Sequence, residues 1–433
     1  MAIIAAISNL TKSYSSLTVL KDANLAIKSG EKIGLVGANG SGKTTLLEII
    51  AGQADFDAGS VDVAKGIRIQ YLPQSLSFSE MQLEQKLIDF AGCGARELNQ
   101  LKVEIERLAL KMAEDTASAP EKLRYAEALQ AFELGGGYSA DATAEKITAG
   151  VGFARSMFDA PLSSLSGGEQ NRARLARLLV SNPDLMLLDE PTNHLDIQGL
   201  EFLEQHIHDS RAAAIIVSHD RRFLDRTVGK IWQVRATKVE VFAGNFSAYL
   251  ESRQKQDDLA LKAYVRQQEL RRKTQAFIQK YIAGQRSKQA KSRRKMLERL
   301  PALEKPPAAE RSMGMAFGDV SRSGRIVCGF DNVIFSYGAK ELLRRVSFVI
   351  ERGESVGLIG ANGSGKTTLL ELIVGGRSPD EGEVHVGKKL NIGYFRQSGA
   401  EFDLADRPID IVGRMLPDYT EGRLRDYLAR FLF

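Results

Sequence analysis

The chain has 433 residues, 43% hydrophobic and 26% charged, ordinary values for a folded protein with room for about two or three domains. No stretch approaches the roughly 18 consecutive apolar residues of a membrane-spanning helix, and the opening MAIIAAISNL is short, lacks a basic start and does not read as a signal peptide, so a cytoplasmic protein is expected. Two cysteines, Cys93 and Cys328, point to neither a disulfide framework nor a metal site, and the net charge of +5 divides unevenly: residues 251–300 hold 15 Lys plus Arg against 5 Asp plus Glu, a net of +10, which leaves the rest of the chain at −5.

The first element with chemical content is GLVGANGSGKTTLLE at 34–48. It returns as GLIGANGSGKTTLLE at 357–371, an offset of 323, with 14 of 15 positions identical. The same offset carries Tyr14 onto Tyr337, Gly59 onto Gly382 and Gln74 onto Gln397, so the chain contains two homologous domains. Each copy holds the phosphate-loop pattern G-x-x-x-x-G-K-T. In the first this is Gly37, Asn39, Gly40, Gly42, Lys43, Thr44 and then Thr45; in the second it is Gly360, Asn362, Gly363, Gly365, Lys366, Thr367 and then Thr368. A β-rich run, EKIGLV or ESVGLI, precedes each loop, and a helical run, TLLEII or TLLELI, follows it. The glycines let backbone N–H groups curl around phosphates, and the following helix N-terminus adds favourable dipole charge. Lys43 and Lys366 are placed to reach the β and γ phosphates of ATP, and Thr44 and Thr367 to ligate Mg2+.

An insertion follows Gln74. Leu98, Leu101, Ile105, Leu108 and Met112 recur at spacings of three and four, the stripe of a helix packing on a partner. The run EDTASAP breaks it, and a second helical pattern covers Glu121 to Leu134, so a helical hairpin is expected here. LSGGEQ then stands at 165–170, LMLLDEPTNHLD at 185–196 and IIVSH at 215–219. Leu185 to Leu188 read as a strand buried on both faces of a parallel sheet and ending in two carboxylates. Asp189 is suited to hold Mg2+ from the strand tip. Glu190, one residue on, points to the other side, where it can polarise an attacking water as general base.

From Leu250 to Ile282 there is no Gly or Pro, and Phe277, Ile278, Tyr281 and Ile282 supply an apolar face, so a long helix is expected. Gly284 marks a turn. A second, strongly basic helix then runs to about Leu300, where Pro301, Pro306 and Pro307 stop it. Such a net-positive hairpin is an electrostatic footprint for a phosphate-rich polymer, met through backbone phosphates and shape rather than base edges.

The ordered set of phosphate loop, Gln74, LSGGEQ, LLDEP and His219 resembles the ATP-binding-cassette ATPases. EPTNHLD, with Asn193 and His194, resembles the soluble ABC-F group in particular. The resemblance implies an α/β fold: a P-loop NTPase cassette of ABC type over 1–245, with a helical arm insertion at about 84–150. A basic helical-hairpin linker over 246–324 and a second, partial cassette over 325–433 would follow. It also implies roles by position. Tyr14 and Tyr337 would stack on adenine, and Gln74 and Gln397 would sense Mg2+ and the water. Ser166, Gly167 and Gly168 would meet the γ-phosphate held by the opposite domain, Asp196 would link the two sites, and His219 would contact the γ-phosphate.

In ABC-F proteins the interdomain linker enters the ribosome and touches the tRNA in the peptidyl site. By that resemblance Arg286, Lys288, Lys291, Arg293, Arg294 and Lys295 are the expected RNA-facing residues. Two other readings stay open: the energising subunit of a transporter with separate membrane subunits, and a DNA-binding ATPase. The second copy departs from the family pattern, because only 67 residues follow Lys366 and none of them forms LSGGE, LLDEP or a His switch. A piece of a longer protein is therefore expected; were Phe433 the natural end, first domains from two chains would pair as a homodimer.

Overall fold

A computed structural model of the chain describes residues 2–15, 17–74, 78–92, 96–113, 118–134, 137–281, 287–299, 324–338, 340–387, 390–396 and 405–431. They fall into two compact units, Met1–Lys255 and Gln256–Phe433.

The first unit begins with β1 (Ile3–Tyr14), β2 (Leu17–Lys28), β3 (Lys32–Gly37), α1 (Lys43–Ile50), β4 (Ala58–Val63) and β5 (Ile69–Leu72). Two short helices, α2 (Glu80–Leu83) and α3 (Leu87–Gly92), lead into the insertion, which comprises α4 (Arg96–Ala113), α5 (Ala119–Leu134) and α6 (Gly137–Gly150). Then come α7 (Gly167–Val180), β6 (Leu185–Asp189), α8 (Ile197–Asp209), β7 (Ala213–Val217), α9 (Arg221–Thr227), β8 (Lys230–Arg235) and β9 (Lys238–Ala243). The strands make two sheets, an antiparallel β2-β1-β4 and a six-stranded β5-β6-β7-β3-β8-β9 that is parallel except for β8–β9.

Strand alternation divides the core. Leu185, Leu187, Ile215 and Val217 share one apolar cluster with Leu46, Leu47 and Trp232, on the side of α1 and the antiparallel sheet. Met186, Leu188, Ala214 and Ile216 share the other with Leu175, Leu203 and Phe223, on the side of α7, α8 and α9. Every residue of β6 and β7 is buried, because successive side chains meet a layer on each face. The carboxylates that end β6 are thereby carried on the most enclosed part of the sheet.

In the insertion α4 and α5 pack together, with Leu108, Ala128 and Phe132 buried. The pair is fastened by Lys111–Glu121 at 2.6 Å and Arg124–Glu104 at 2.7 Å. Leu101 and Ile105 are half-buried, Met112 is exposed, and the side chain of Leu98 lies outside the described residues. The third helix, α6, which no periodic stripe announces, returns the chain to the body and packs on α7.

A long helix, α10 (Phe246–Tyr281), runs out of the first unit, and α11 (Ser287–Arg299) follows; the expected turn at Gly284 lies outside the described residues. The second unit continues with β10 (Ile326–Tyr337), β11 (Lys340–Glu351), α12 (Lys366–Val374), β12 (Glu381–Val386), α13 (Pro408–Met415) and α14 (Glu421–Arg430). The sheet β11-β10-β12 repeats β2-β1-β4 in register: Ile326↔Glu351 and Tyr337↔Lys340 match Ile3↔Lys28 and Tyr14↔Leu17 at the offset of 323. The repeated glycine has a steric reason. A Cβ on Gly59 would stand 2.5 Å from the Ser8 carbonyl oxygen, and one on Gly382 2.4 Å from that of Asn332. Cys328, Phe330, Val333, Phe335, Leu343 and Leu372 form the core of this unit.

One sequence expectation fails here. ESVGLI, read as the strand before the second phosphate loop, is not a strand. Its first-copy counterpart, β3, is held between β7 and β8, and among the described residues no strand pairs with 355–359. Val356 and Ile359 are 65% and 76% exposed. A hydrogen–deuterium exchange experiment checks the contrast: amides of 33–36 should be protected by orders of magnitude, while those of 355–359 exchange near the unstructured rate.

Candidate nucleotide-binding site

Between β3 and α1 the chain turns through the first phosphate loop. Gly40 and Gly42 take φ of 74° and 101°, a region that costs glycine little. At Gly42 a Cβ would also come within 2.4 Å of Val19. Helix α1 has no side-chain cap and no acidic residue in its first turn, so its unpaired N–H groups are left for an anion. Lys43 Nζ donates to the carbonyls of Gly37 at 2.8 Å and Ala38 at 3.0 Å, arching its charge over the loop.

A cavity of about 510 Å³ opens above this loop. Tyr14, Leu17 and Val19 form one wall; Asn39, Gly40, Gly42, Lys43, Thr44 and Thr45 form the floor; Gln74, Asp189, Glu190 and His219 form the far wall. Tyr14 is half-exposed, with Lys12 Nζ over its ring at 5.0 Å.

The two carboxylates occupy different settings. Asp189 shares the α1 face with Leu185 and Leu187, and its Oδ2 accepts a hydrogen bond from Thr44 Oγ1 at 2.7 Å. Burial pushes its pKa up, while the Thr44 hydroxyl and the charges of Lys43 and His219 draw it back. Glu190 follows the strand in the left-handed region, φ 53°, a conformation uncommon outside glycine and asparagine. The turn is closed by its own N–H, which donates to the Val217 carbonyl at 2.9 Å. Burial pushes the Glu190 pKa up as well; the backbone N–H of His219, donating to Oε2 at 3.2 Å, opposes the shift. His219 Nε2 stands 3.5 Å from Glu190 Oε1, and its side chain is 71% exposed, so it is a ring facing the cavity and not a satisfied core histidine. Thr44, Asp189 and Gln74 offer oxygen donors at one end of the cavity, the donor class that suits Mg2+.

Four residues expected to serve a nucleotide do not line this cavity. Ser166 caps α7: its N–H donates to Glu169 Oε2 at 2.9 Å, and Glu169 N donates to its Oγ at 3.4 Å. Gly167 opens that helix, and Gly168 lies under His194, whose ring a Cβ there would meet at 3.0 Å. Asp196 caps α8, its Oδ1 accepting from Gly199 N at 2.9 Å.

In the second unit Lys366 Nζ donates to the carbonyls of Gly360 and Ala361, each at 2.7 Å, repeating Lys43. Gly363 and Gly365 repeat the positive φ at 73° and 92°. Thr367 and Thr368 open α12 with Lys366, Asn362 lies in the loop before it, and Tyr337 lies under Arg377 at 4.8 Å. Gln397 lies outside the described residues. Of the linker residues, Lys291, Arg294 and Lys295 are exposed on α11. Lys288 and Arg293 belong to the same helix with side chains outside the described residues, and Arg286 lies outside them altogether.

Known proteins resemble this chain over nearly all of its length. The family profile described as ABC transporter matches residues 20–193 and 343–404, and a second profile of the same description matches 232–317. The putative ATP-binding protein YdiF of Bacillus subtilis (strain 168) is 35% identical over 434 residues, 99% of this chain and 67% of that protein. The chain belongs to the ABC-F family of ATP-binding-cassette proteins. ABC transporter F family member 2 of Arabidopsis thaliana is likewise 35% identical, over 99% of this ABC-F chain and 64% of the plant protein. The chain thus spans about two thirds of the length of the curated relatives it matches. A solved ATP-binding subunit of an ABC transporter superposes with a TM-score of 0.41 at 16% identity, covering 55% of this chain and 90% of that one; that superposition carries no argument of its own. Among the described residues no helix is long and apolar enough to cross a membrane.

A helix cap and a buried arginine also shape this region. Ser166 and Glu169 form an S-x-x-E capping box, a readable signature. Arg172, buried to 7% exposure, donates to the Gly152 carbonyl at 2.8 Å and lies over Phe153 at 4.6 Å, tying α7 to the end of α6. Its spacing of three from Glu169 was the available signal.

Because burial raises the pKa of Glu190, the folded state holds that proton more tightly than the unfolded chain does. Stability therefore falls as pH rises from the ordinary carboxylate range through the raised pKa. Glu190→Gln should raise the melting temperature at pH 7, and the gain should vanish in acid. Thermal melts of both forms across pH check this.

Proposed function

We propose that this ABC-F chain binds and hydrolyses ATP at the first phosphate loop and acts on the ribosome through the basic helices that follow. Lys43 and the N–H groups around Gly40 and Gly42 hold the phosphates, and Tyr14 stacks on the base. Thr44 and Asp189, with Gln74 beside them, hold Mg2+, which supplies positive charge against the developing charge of phosphoryl transfer. Glu190 takes the proton of the attacking water, and His219 sits over the γ-phosphate end. Ser166, Gly167, Gly168 and Asp196 serve a second nucleotide rather than this one. Lys366, Thr367 and Tyr337 hold ATP at the second copy.

The observation that carries the ribosome reading is the division of charge. A net +10 lies on residues 251–300, while the rest of the chain sums to −5. Lys291, Arg294 and Lys295 stand exposed on one short helix. Together with Arg286, Lys288 and Arg293, named from the sequence alone, they are the residues proposed to meet ribosomal RNA and tRNA. ATP drives the switch only through a different affinity for the two states of the protein, since a ligand shifts an equilibrium by that difference alone. Translation regulation or ribosome protection is the resulting role.

Sedimentation with ribosomes tests the reading. The Glu190→Gln protein with ATP should pellet with ribosomes, and log affinity should fall linearly with log salt. Replacing Lys291, Arg294 and Lys295 by Glu should flatten that slope by about 2, at roughly 0.7 for each phosphate no longer neutralised. Retention on duplex DNA without ribosome pelleting would overturn the reading in favour of a DNA-binding ATPase, and recovery in the membrane fraction would favour a transporter subunit.

A further inference from the structure

Tyr71 lies on β5, three residues before Gln74, and its Cα pairs with Leu187 of β6. Side chains two apart on a strand share a face, so Leu187 and Asp189 both look toward α1. Tyr71 packs on the same apolar cluster as Leu46, Leu47 and Leu187. Its ring thus lies on the α1 side of the sheet, beside the strand that the Thr44–Asp189 hydrogen bond joins to α1. The hydroxyl is shut off from solvent, yet among the described residues it has no hydrogen-bond partner. Burial, then the charge of Asp189, then that of Glu48 push its pKa up, so it is a neutral donor lying within electrostatic reach of both carboxylates.

An unpaired buried hydroxyl costs stability, and a phenylalanine would fill the same space without that cost. The internal repeat nevertheless places Tyr394 at the matching position, again three residues before a glutamine. A donor without a described acceptor therefore lies within electrostatic reach of a carboxylate that Thr44 holds by one oxygen.

We infer that Tyr71 is a positioning residue for Asp189: its hydroxyl donates to the Asp189 carboxylate when the nucleotide site is loaded, adding a second hydrogen bond to the one from Thr44. Outer hydrogen bonds of this kind orient a metal-holding carboxylate, and losing one typically weakens metal affinity by about tenfold or more. The inference rests on the reading of Asp189 as the magnesium carboxylate.

The test uses the full 433-residue chain in a Lys366→Ala background, so that only the first phosphate loop reports. A fluorescent ATP analogue is titrated with MgCl2 for the parent, Tyr71→Phe and Asp189→Asn, and melting temperatures are recorded in parallel. The expected result is that Tyr71→Phe melts at the same temperature or higher, binds the analogue unchanged without metal, and needs about tenfold more Mg2+ for half-saturation. A merely structural hydroxyl would move the melt and not the metal dependence. If Asp189→Asn shifts the Mg2+ requirement and Tyr71→Phe does not, the role of Tyr71 is overturned. If Asp189→Asn leaves it unchanged, the metal reading of Asp189 fails, and the inference falls with it.

Discussion

The hydrogen bond from Thr44 to Asp189 ties the start of α1 to the end of β6, and the site depends on it. The phosphate loop belongs to the strand–loop–helix at 32–50, whereas the carboxylates arrive about 140 residues later in the chain. They meet because β6 is enclosed on both faces and its alternation leaves Asp189 on the α1 side. The left-handed turn at Glu190 then points the next carboxylate away along the strand end. One fold decision, which face of a buried strand looks at α1, therefore brings Asp189 to the phosphate loop and leaves Glu190 at the strand end.

The internal repeat shows how far such decisions are local. TTLLEII and TTLLELI become helices in both copies, α1 and α12, since a helix satisfies its own backbone. EKIGLV and ESVGLI share the same pattern of apolar residues, yet only the first is a strand. A strand exists through its neighbours, and β3 has β7 and β8 while 355–359 has no described partner. Likewise, the antiparallel sheets recur in register because each copy carries all three of their strands.

This sets what was legible. The phosphate loops, the carboxylate pair and His219 were readable because each is a contiguous motif with a chemical reason for its spacing. The cavity brings those first-copy residues together with Tyr14 and Gln74. Tyr71 and Arg172 were not singled out, since their importance lies in what they touch across the sheet or at the end of another helix. The third insertion helix, α6, is held by packing on α7 rather than by a strong stripe of its own. Ser166 was read for a distant nucleotide, and its present work as a helix cap is the part that tertiary structure added.

Charge completes the account. The cassette supplies a site whose acidic groups are buried and raised in pKa, while the helices after it carry the excess of positive charge. Hydrolysis and the phosphate-rich partner are therefore proposed for separate stretches of one chain: the first rests on Glu190 acting at the loaded site, the second on the excess of positive charge. The most direct measurement is the identity of the nucleotide retained after incubation with Mg·ATP, in the Lys366→Ala background, by the parent and by Glu190→Gln. The account predicts ADP in the parent and intact ATP in the variant. The same nucleotide in both would contradict it.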